Sequence, residues 1–232
     1  MSGSVSCLSP SRDKSFLGRS SLLGLYIFIL ALATILLAII LYLLMPILPL
    51  PPFSWWQALF FLALSLLAEK ATIRFGRGCE VSASLIAYFL TITVFGPLPG
   101  LAVAFAAQLI HFKRKAWGRN ICFATTAAVE AGLAGIIYWA FPFYLGSNSG
   151  VIIVAGIVAG VSYQIINYLL YIPVTFLRIG HGPLTLWREG FQPFLPYHLF
   201  FLTVSLGLVW IFNRSQSIVA FLLLLLPVLG LI

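Results

Sequence analysis

VSASLIAYFLTITVFGPLPGLAVAFAAQLIHF, residues 81–112, decides how this chain is built. It is 32 residues long and carries no Asp, Glu, Lys or Arg. One straight helix of that length would measure about 48 Å, against a bilayer hydrocarbon core of about 30 Å. Its middle is Gly96-Pro97-Leu98-Pro99-Gly100, a strong helix breaker. Charge chooses between one kinked crossing and a hairpin of two short helices. Arg74 and Arg77 precede the segment; Lys113, Arg114, Lys115 and Arg119 follow it. A single crossing would put one basic cluster outside the cell, whereas a hairpin leaves both inside. The expected element is therefore a hairpin turning at Gly96, Pro97, Pro99 and Gly100. Each arm has about 15 residues and a length of about 22 Å. Arms this short either span with little tilt or form a re-entrant pair shielded by neighbouring helices.

Composition agrees with a membrane protein. Of the 232 residues, 62% are apolar and 8% charged, and the five acids are Asp13, Glu69, Glu80, Glu130 and Glu189. So few charges cannot cover a soluble fold of this size, and so apolar a chain is not disordered. The net charge of +8 invites a nucleic-acid partner. The positions of the charges exclude it. Leu22 to Ala68, Val81 to Ile110 and Ala131 to Leu177 have none, and the basic residues lie in the gaps between. Three scattered cysteines, Cys7, Cys79 and Cys122, make no CxxC pair and have no His at ligand spacing, so no disulfide framework or metal site is expected.

Reading outward gives an all-α, polytopic membrane protein with about eight membrane helices. Residues 1–21 form a cytoplasmic tail and 22–232 a single integral membrane domain. Leu22 to Leu48 is too long for a signal-peptide core and ends at Pro46, Pro49, Pro51 and Pro52. The second helix runs from Trp55 and Trp56, at aromatic-belt depth, to about Thr72. After the hairpin come helices at about Asn120 to Phe141, Val151 to Leu177, Tyr197 to Phe212 and Ser217 to the end. With the N-terminus inside, twelve Lys and Arg fall on the cytoplasmic side and only Arg214 falls outside. The expected location is a bacterial cytoplasmic (inner) membrane, with both termini cytoplasmic.

Glu130 is the one acid placed near mid-span, where insertion costs about 2.5–3.5 kcal/mol. It must face protein or a cavity. Its neighbours Thr126, Ala127, Ala131, Ala134 and Gly135 are small enough to admit another helix closely. The sixth helix offers the matching stripe: Gly156 and Gly160 as a GxxxG packing pair, then Gln164, Asn167, Tyr168 and Tyr171. Glu130 with these four polar residues is the candidate ligand-binding or intramembrane polar cluster. Interhelical glue explains the same residues equally simply. His111, His181 and His198 stand at no diagnostic spacing from a Ser, Cys or carboxylate. HExxH, GxSxG, P-loop and GxGxxG motifs are absent from the sequence. No enzyme, catalytic residue, metal or cofactor is expected. In the 178–196 connection, Pro183 opens and Gly190 closes an expected short amphipathic helix at about 183–189, with Trp187 at headgroup depth.

Two stretches carry a family resemblance. Val81-Ser82-Ala83-Ser84 leads through the hairpin to Phe95-Gly96-Pro97-Leu98-Pro99-Gly100. Later come Gly182-Pro183-Leu184, Trp187-Arg188-Glu189-Gly190-Phe191 and Leu195-Pro196-Tyr197. Together they resemble the multi-helix membrane region ahead of HD-GYP phosphohydrolase and GGDEF cyclase domains in bacteria. The resemblance implies a non-enzymatic sensor or signalling input module lacking its output domain. The first stretch is also similar to the S-components of energy-coupling-factor vitamin transporters, which implies instead a subunit that binds a small solute for transport. The expected partners are the lipid bilayer, a small-molecule ligand and a second copy or another membrane protein, and no nucleic acid.

Overall fold

The computed structural model describes residues 16–48, 50, 55–70, 72–75, 79–82, 84–110, 117–146 and 148–215. Its elements, in order, are α1 (Phe16–Leu44), α2 (Trp55–Lys70), β1 (Thr72–Phe75), β2 (Cys79–Ser82), α3 (Ser84–Phe95), α4 (Pro97–Ile110), α5 (Trp117–Leu145), α6 (Ser149–Ile179), α7 (Pro183–Thr185) and α8 (Leu195–Ser215). The body is helical, as the composition requires. Four helical stretches are long and apolar enough to cross a membrane: Ser21–Leu44, Gly118–Leu145, Ser149–Arg178 and Pro183–Ile211. Three apolar helices are shorter, at Trp56–Glu69, Ser84–Phe95 and Pro97–Leu109. The last expected helix, at 217–232, lies outside the described residues, as do tail residues 1–15.

Several boundaries differ from the sequence reading, each for a local reason. α1 begins at Phe16, so the helix takes up the end of the expected tail. The chain after α2 is an antiparallel hairpin rather than a plain loop, pairing Thr72 with Ser82 and Phe75 with Cys79. β-branched Thr72, Ile73 and Val81 favour extended backbone, and a Gly-Arg-Gly sequence lies between the strands. α5 runs through Pro142, which forfeits only one late backbone bond, and Gly146 closes the end with its N–H on the Pro142 carbonyl. α6 starts at an Asn148 cap, whose side chain accepts from the Val151 N–H at 2.9 Å, and ends at left-handed Gly180.

The 81–112 segment is a pair of short helices, as its breaker and flanking charges predict, but its turn is tighter. Only Gly96 stands between α3 and α4, at φ 100°. Pro97 already opens α4, where its missing N–H is not needed, and Pro99 and Gly100 lie in the same first turn. Gly100 packs against Ile92, and Tyr88 meets Gln108, so the two helices run back along each other. All twelve residues of α3 are buried. At about 18 and 21 Å the helices are shorter than a hydrocarbon core. They are covered by α2, α5 and α8.

α5 is the central post, packed by α1, α3, α4 and α6. Ala124, Ala127, Ala128, Ala131 and Ala134 are buried along it, and they let neighbours approach closely. Gly132 meets Leu37 and Leu101, and Gly135 meets Pro97. α1 contributes a narrow stripe of Leu30, Thr34, Leu37 and Leu41, while Leu25, Ile29, Leu32, Ile35, Leu36, Ile39 and Leu43 are exposed. α6 likewise buries Ala155, Ala159 and Tyr163 and exposes Ile153, Ile157, Val161, Ile165 and Leu169. Outer faces this apolar fit hydrocarbon and not water.

The chain between α6 and α8 departs from expectation. Pro183 does open a helix, with Gly182 as its cap, but Gly190 does not end it. A π-helical turn (Leu186–Phe191) and a 3-10 turn (Gln192–Phe194) carry it into α8 without a break. The three prolines do not stop it, because Pro183 and Pro193 each sit in the first turn of a short segment and Pro196 in the first turn of α8. Trp187 is partly exposed and lies over the edge of Tyr168 and in parallel with Phe191, at ring distances of 5.5 and 6.4 Å.

The crossing at Gly135 generates a test. A Cβ there would lie 2.6 Å from Pro97 Cα, a backbone atom that cannot yield. Gly135→Val is expected to cost about 1–3 kcal/mol by overpacking. Gly24→Ala, on a helix face with nothing within 4 Å, is expected to leave stability unchanged or raise it by up to about 1 kcal/mol. Thermal melts of both variants in detergent check the contrast.

Candidate functional site: two buried carboxyl clusters

Glu130 sits midway along α5 and is 1% exposed. Asn167 of α6 donates from Nδ2 to its Oε1 at 2.7 Å. Tyr163, one turn earlier on α6 and also buried, interacts with the same carboxyl through its hydroxyl. Positions 163 and 167 are four apart, so both side chains project from one face of α6 onto α5. The acid therefore faces the interface between α5 and α6, as its small neighbours predict. Tyr26 of α1 ties the third wall, donating to the Leu170 carbonyl at 2.7 Å.

The other stripe residues divide between neighbours. Gln164 is half-buried, and the amide that bonds Glu130 is that of Asn167. Tyr168 donates to the Pro183 carbonyl at 2.7 Å and joins the Trp187–Phe191 aromatic group instead. Tyr171 is buried against Phe123, at a ring distance of 5.9 Å. Gly156 and Gly160 do form a packing notch, but for α8: they receive Leu206 and Leu202. His198, at the start of α8, stacks on Phe191 at 6.2 Å, and its Nδ1 is buried without a partner among the described residues. His111 and the 113–115 basic run lie outside the described residues.

A second cluster was not anticipated. Glu69, at the end of α2, is 3% exposed. Gln108 of α4 donates to its Oε1 at 2.6 Å, and the Tyr88 hydroxyl of α3 donates to the same oxygen at 3.0 Å. Gln108 also lies 3.2 Å from the Tyr88 hydroxyl, closing a triangle that joins three helices. Ser84, one turn before Tyr88, adds its hydroxyl to the carboxyl. Glu69 reads as a helix-end charge because Lys70 follows it. The available signal was the pair Tyr88 and Gln108, one on each apolar hairpin arm toward the end far from the turn.

The two clusters approach each other through tyrosines. Tyr163 lies within electrostatic range of both Glu130 and Tyr88. The interior thus carries a series of polar groups from Gln108 and Glu69 through Tyr88 and Tyr163 to Glu130 and Asn167. Glu130 is held by an amide and a phenol, groups that hydrogen-bond an acid without a full counter-charge. Among the described residues no three His, Cys, Asp or Glu side chains are grouped to hold a metal ion.

Removing a donor while leaving its buried acid should cost about 1–3 kcal/mol, so Asn167→Ala is expected to destabilise by that amount. Tyr88→Phe and Gln108→Ala are expected to be non-additive, because they share one acceptor oxygen. Melting of the single and double variants measures the coupling, and strict additivity would mean that the triangle does not act as a unit. No protein-family model, curated protein or solved structure matches this chain.

Proposed function

We propose that this chain is a non-enzymatic sensor or signalling input module of a bacterial cytoplasmic membrane, whose responsive element is the α3–α4 hairpin between the two carboxyl clusters. The observation that carries the reading is the pair of buried acids, Glu69 and Glu130, bonded across helix interfaces at the cost that intramembrane acids impose. A change of protonation or ligation at either acid alters bonds between helices rather than within one. The hairpin is the element that must respond, since Tyr88 and Gln108 belong to it. Trp139 of α5 reports on its position: its indole N–H donates to the Ile92 carbonyl of α3 at 2.9 Å. The resemblance to membrane regions preceding HD-GYP and GGDEF domains supports the same reading. A transporter subunit resembling S-components is the competing outcome.

The proposal includes a topology of eight membrane helices, counting both hairpin arms and the 217–232 segment, with both termini cytoplasmic. The lopsided placement of Lys and Arg supports it. Cysteines introduced singly at residues 113–116 are expected to resist an impermeant thiol reagent added outside intact cells. Labelling from outside would overturn the topology.

The sensor reading is tested with protons as the stimulus. A version retaining Trp139 as its only tryptophan, reconstituted in vesicles, is expected to shift its emission after a pH step. Glu130→Gln together with Glu69→Gln should abolish the shift while keeping the fold, since an amide preserves the shape of each site. An unchanged emission in the parent protein would sink the reading, and charge movement across the vesicle after the step would favour transport.

A further inference from the structure

A cavity of about 180 Å³ lies away from both carboxyl clusters, where α1, the first turn of α5 and the last turn of α6 meet. At about 30 Å³ per liquid water, it has room for roughly six. Its walls combine two kinds of group. Leu23 and Ile27 of α1 and Val174 of α6 are apolar; Arg119 of α5 and Arg178 of α6 are cationic, with Cys122 between. No acid lines it. The Nε of Arg119 is buried there without a hydrogen-bond partner among the described residues. A buried guanidinium N–H left unsatisfied is costly, and the exposed Arg178 at the same cavity offers an anion a second cationic partner.

The apolar side identifies the class of anion. A small soluble anion gains nothing from Leu23, Ile27 and Val174, whereas an amphiphile does. Leu22, Leu25 and Ile29, on the other side of the same end of α1, are exposed and apolar, which puts this end of the helix in hydrocarbon. We propose that this cavity binds the phosphate of an anionic phospholipid, with Arg119 and Arg178 on the headgroup and Leu23, Ile27 and Val174 along the start of the acyl chains. Arg matches phosphate because its planar fork donates in pairs. The inference rests on membrane embedding and is independent of the sensor reading.

Native mass spectrometry of the full chain released from nanodiscs of phosphatidylcholine mixed with phosphatidylglycerol provides the test. The parent protein is expected to retain phosphatidylglycerol selectively. Arg119→Gln with Arg178→Gln is expected to weaken retention roughly thirty-fold, which corresponds to about 1 kcal/mol per lost charge. Leu23→Trp, which fills the cavity from the α1 side and leaves both arginines in place, is expected to lose the selectivity without lowering the melting temperature. It keeps the test decisive if the double variant does not fold. Absence of selectivity in the parent, or selectivity unchanged in the variants, overturns the site. Inorganic phosphate is the second arm: if it displaces the phosphatidylglycerol and alone raises the melting temperature of lipid-free protein, the site takes free phosphate and the lipid assignment fails.

Discussion

Reversing the chain in one residue, in the middle of an apolar bundle, is the constraint on which this structure depends. Gly96 holds φ near 100°, a conformation that residues with a Cβ rarely adopt, and its neighbour Leu50 leaves no room for one. Pro97 then starts the next helix with its φ already set. Because the turn has no loop, it brings no unpaired stretch of backbone into the interior. α3 can therefore be buried on every side, between α2, α4, α5 and α8. Gly100 and Gly135 complete the arrangement by letting α4 close on α3 and α5 close on the turn.

Burial of that kind puts polar side chains where water cannot serve them, and the molecule handles them in two ways. Short hydroxyls bond back to their own helix: Thr91 to the Ala87 carbonyl, Thr93 to that of Phe89, Ser65 to that of Phe61 and Ser205 to that of Phe201, all between 2.7 and 3.0 Å. These bonds are local and say nothing about neighbours. The buried carboxyls, amides and phenols instead bond partners on other helices. The long polar side chains are thus where one helix registers the state of the next. They are concentrated at Glu69–Tyr88–Gln108 and Glu130–Asn167.

Much of this was legible beforehand. Uncharged runs located the helices, and the breaker with its flanking charges located the hairpin. The depth of Glu130 and the polar stripe on the sixth helix put that acid near Gln164 or Asn167; Asn167 makes the bond, and Tyr163, which the stripe did not include, is its other partner. What could not be read was the sharing of neighbours between helices distant in the chain. Gly156 and Gly160 announce close packing but do not say that α8 supplies the leucines. Glu69 was masked by its place beside Lys70 at a helix end, and its burial depends on α3 and α4 folding over it. Pro193 and Pro196 close nothing, because each sits in the first turn of the next segment. Gly190 likewise closes nothing, since a π-helical turn runs through it.

The seam between α6 and α8 has a property beyond tight packing. Notches at Gly156 and Gly160 are four residues apart, and so are the knobs Leu202 and Leu206 that fill them. Equal spacing makes the fit periodic. Sliding α8 by that four-residue spacing, about 6 Å, would bring one knob back into a notch, whereas a smaller slide would drive a leucine into the rim between them. The seam is indexed like a detent, with favoured positions at that spacing. Above it, the change from α to π to 3-10 winding at 183–194 supplies a segment whose pitch is already uneven. A shift of α8 along this seam would keep a leucine in a notch only at that spacing, and its change in length would fall on residues 183–194.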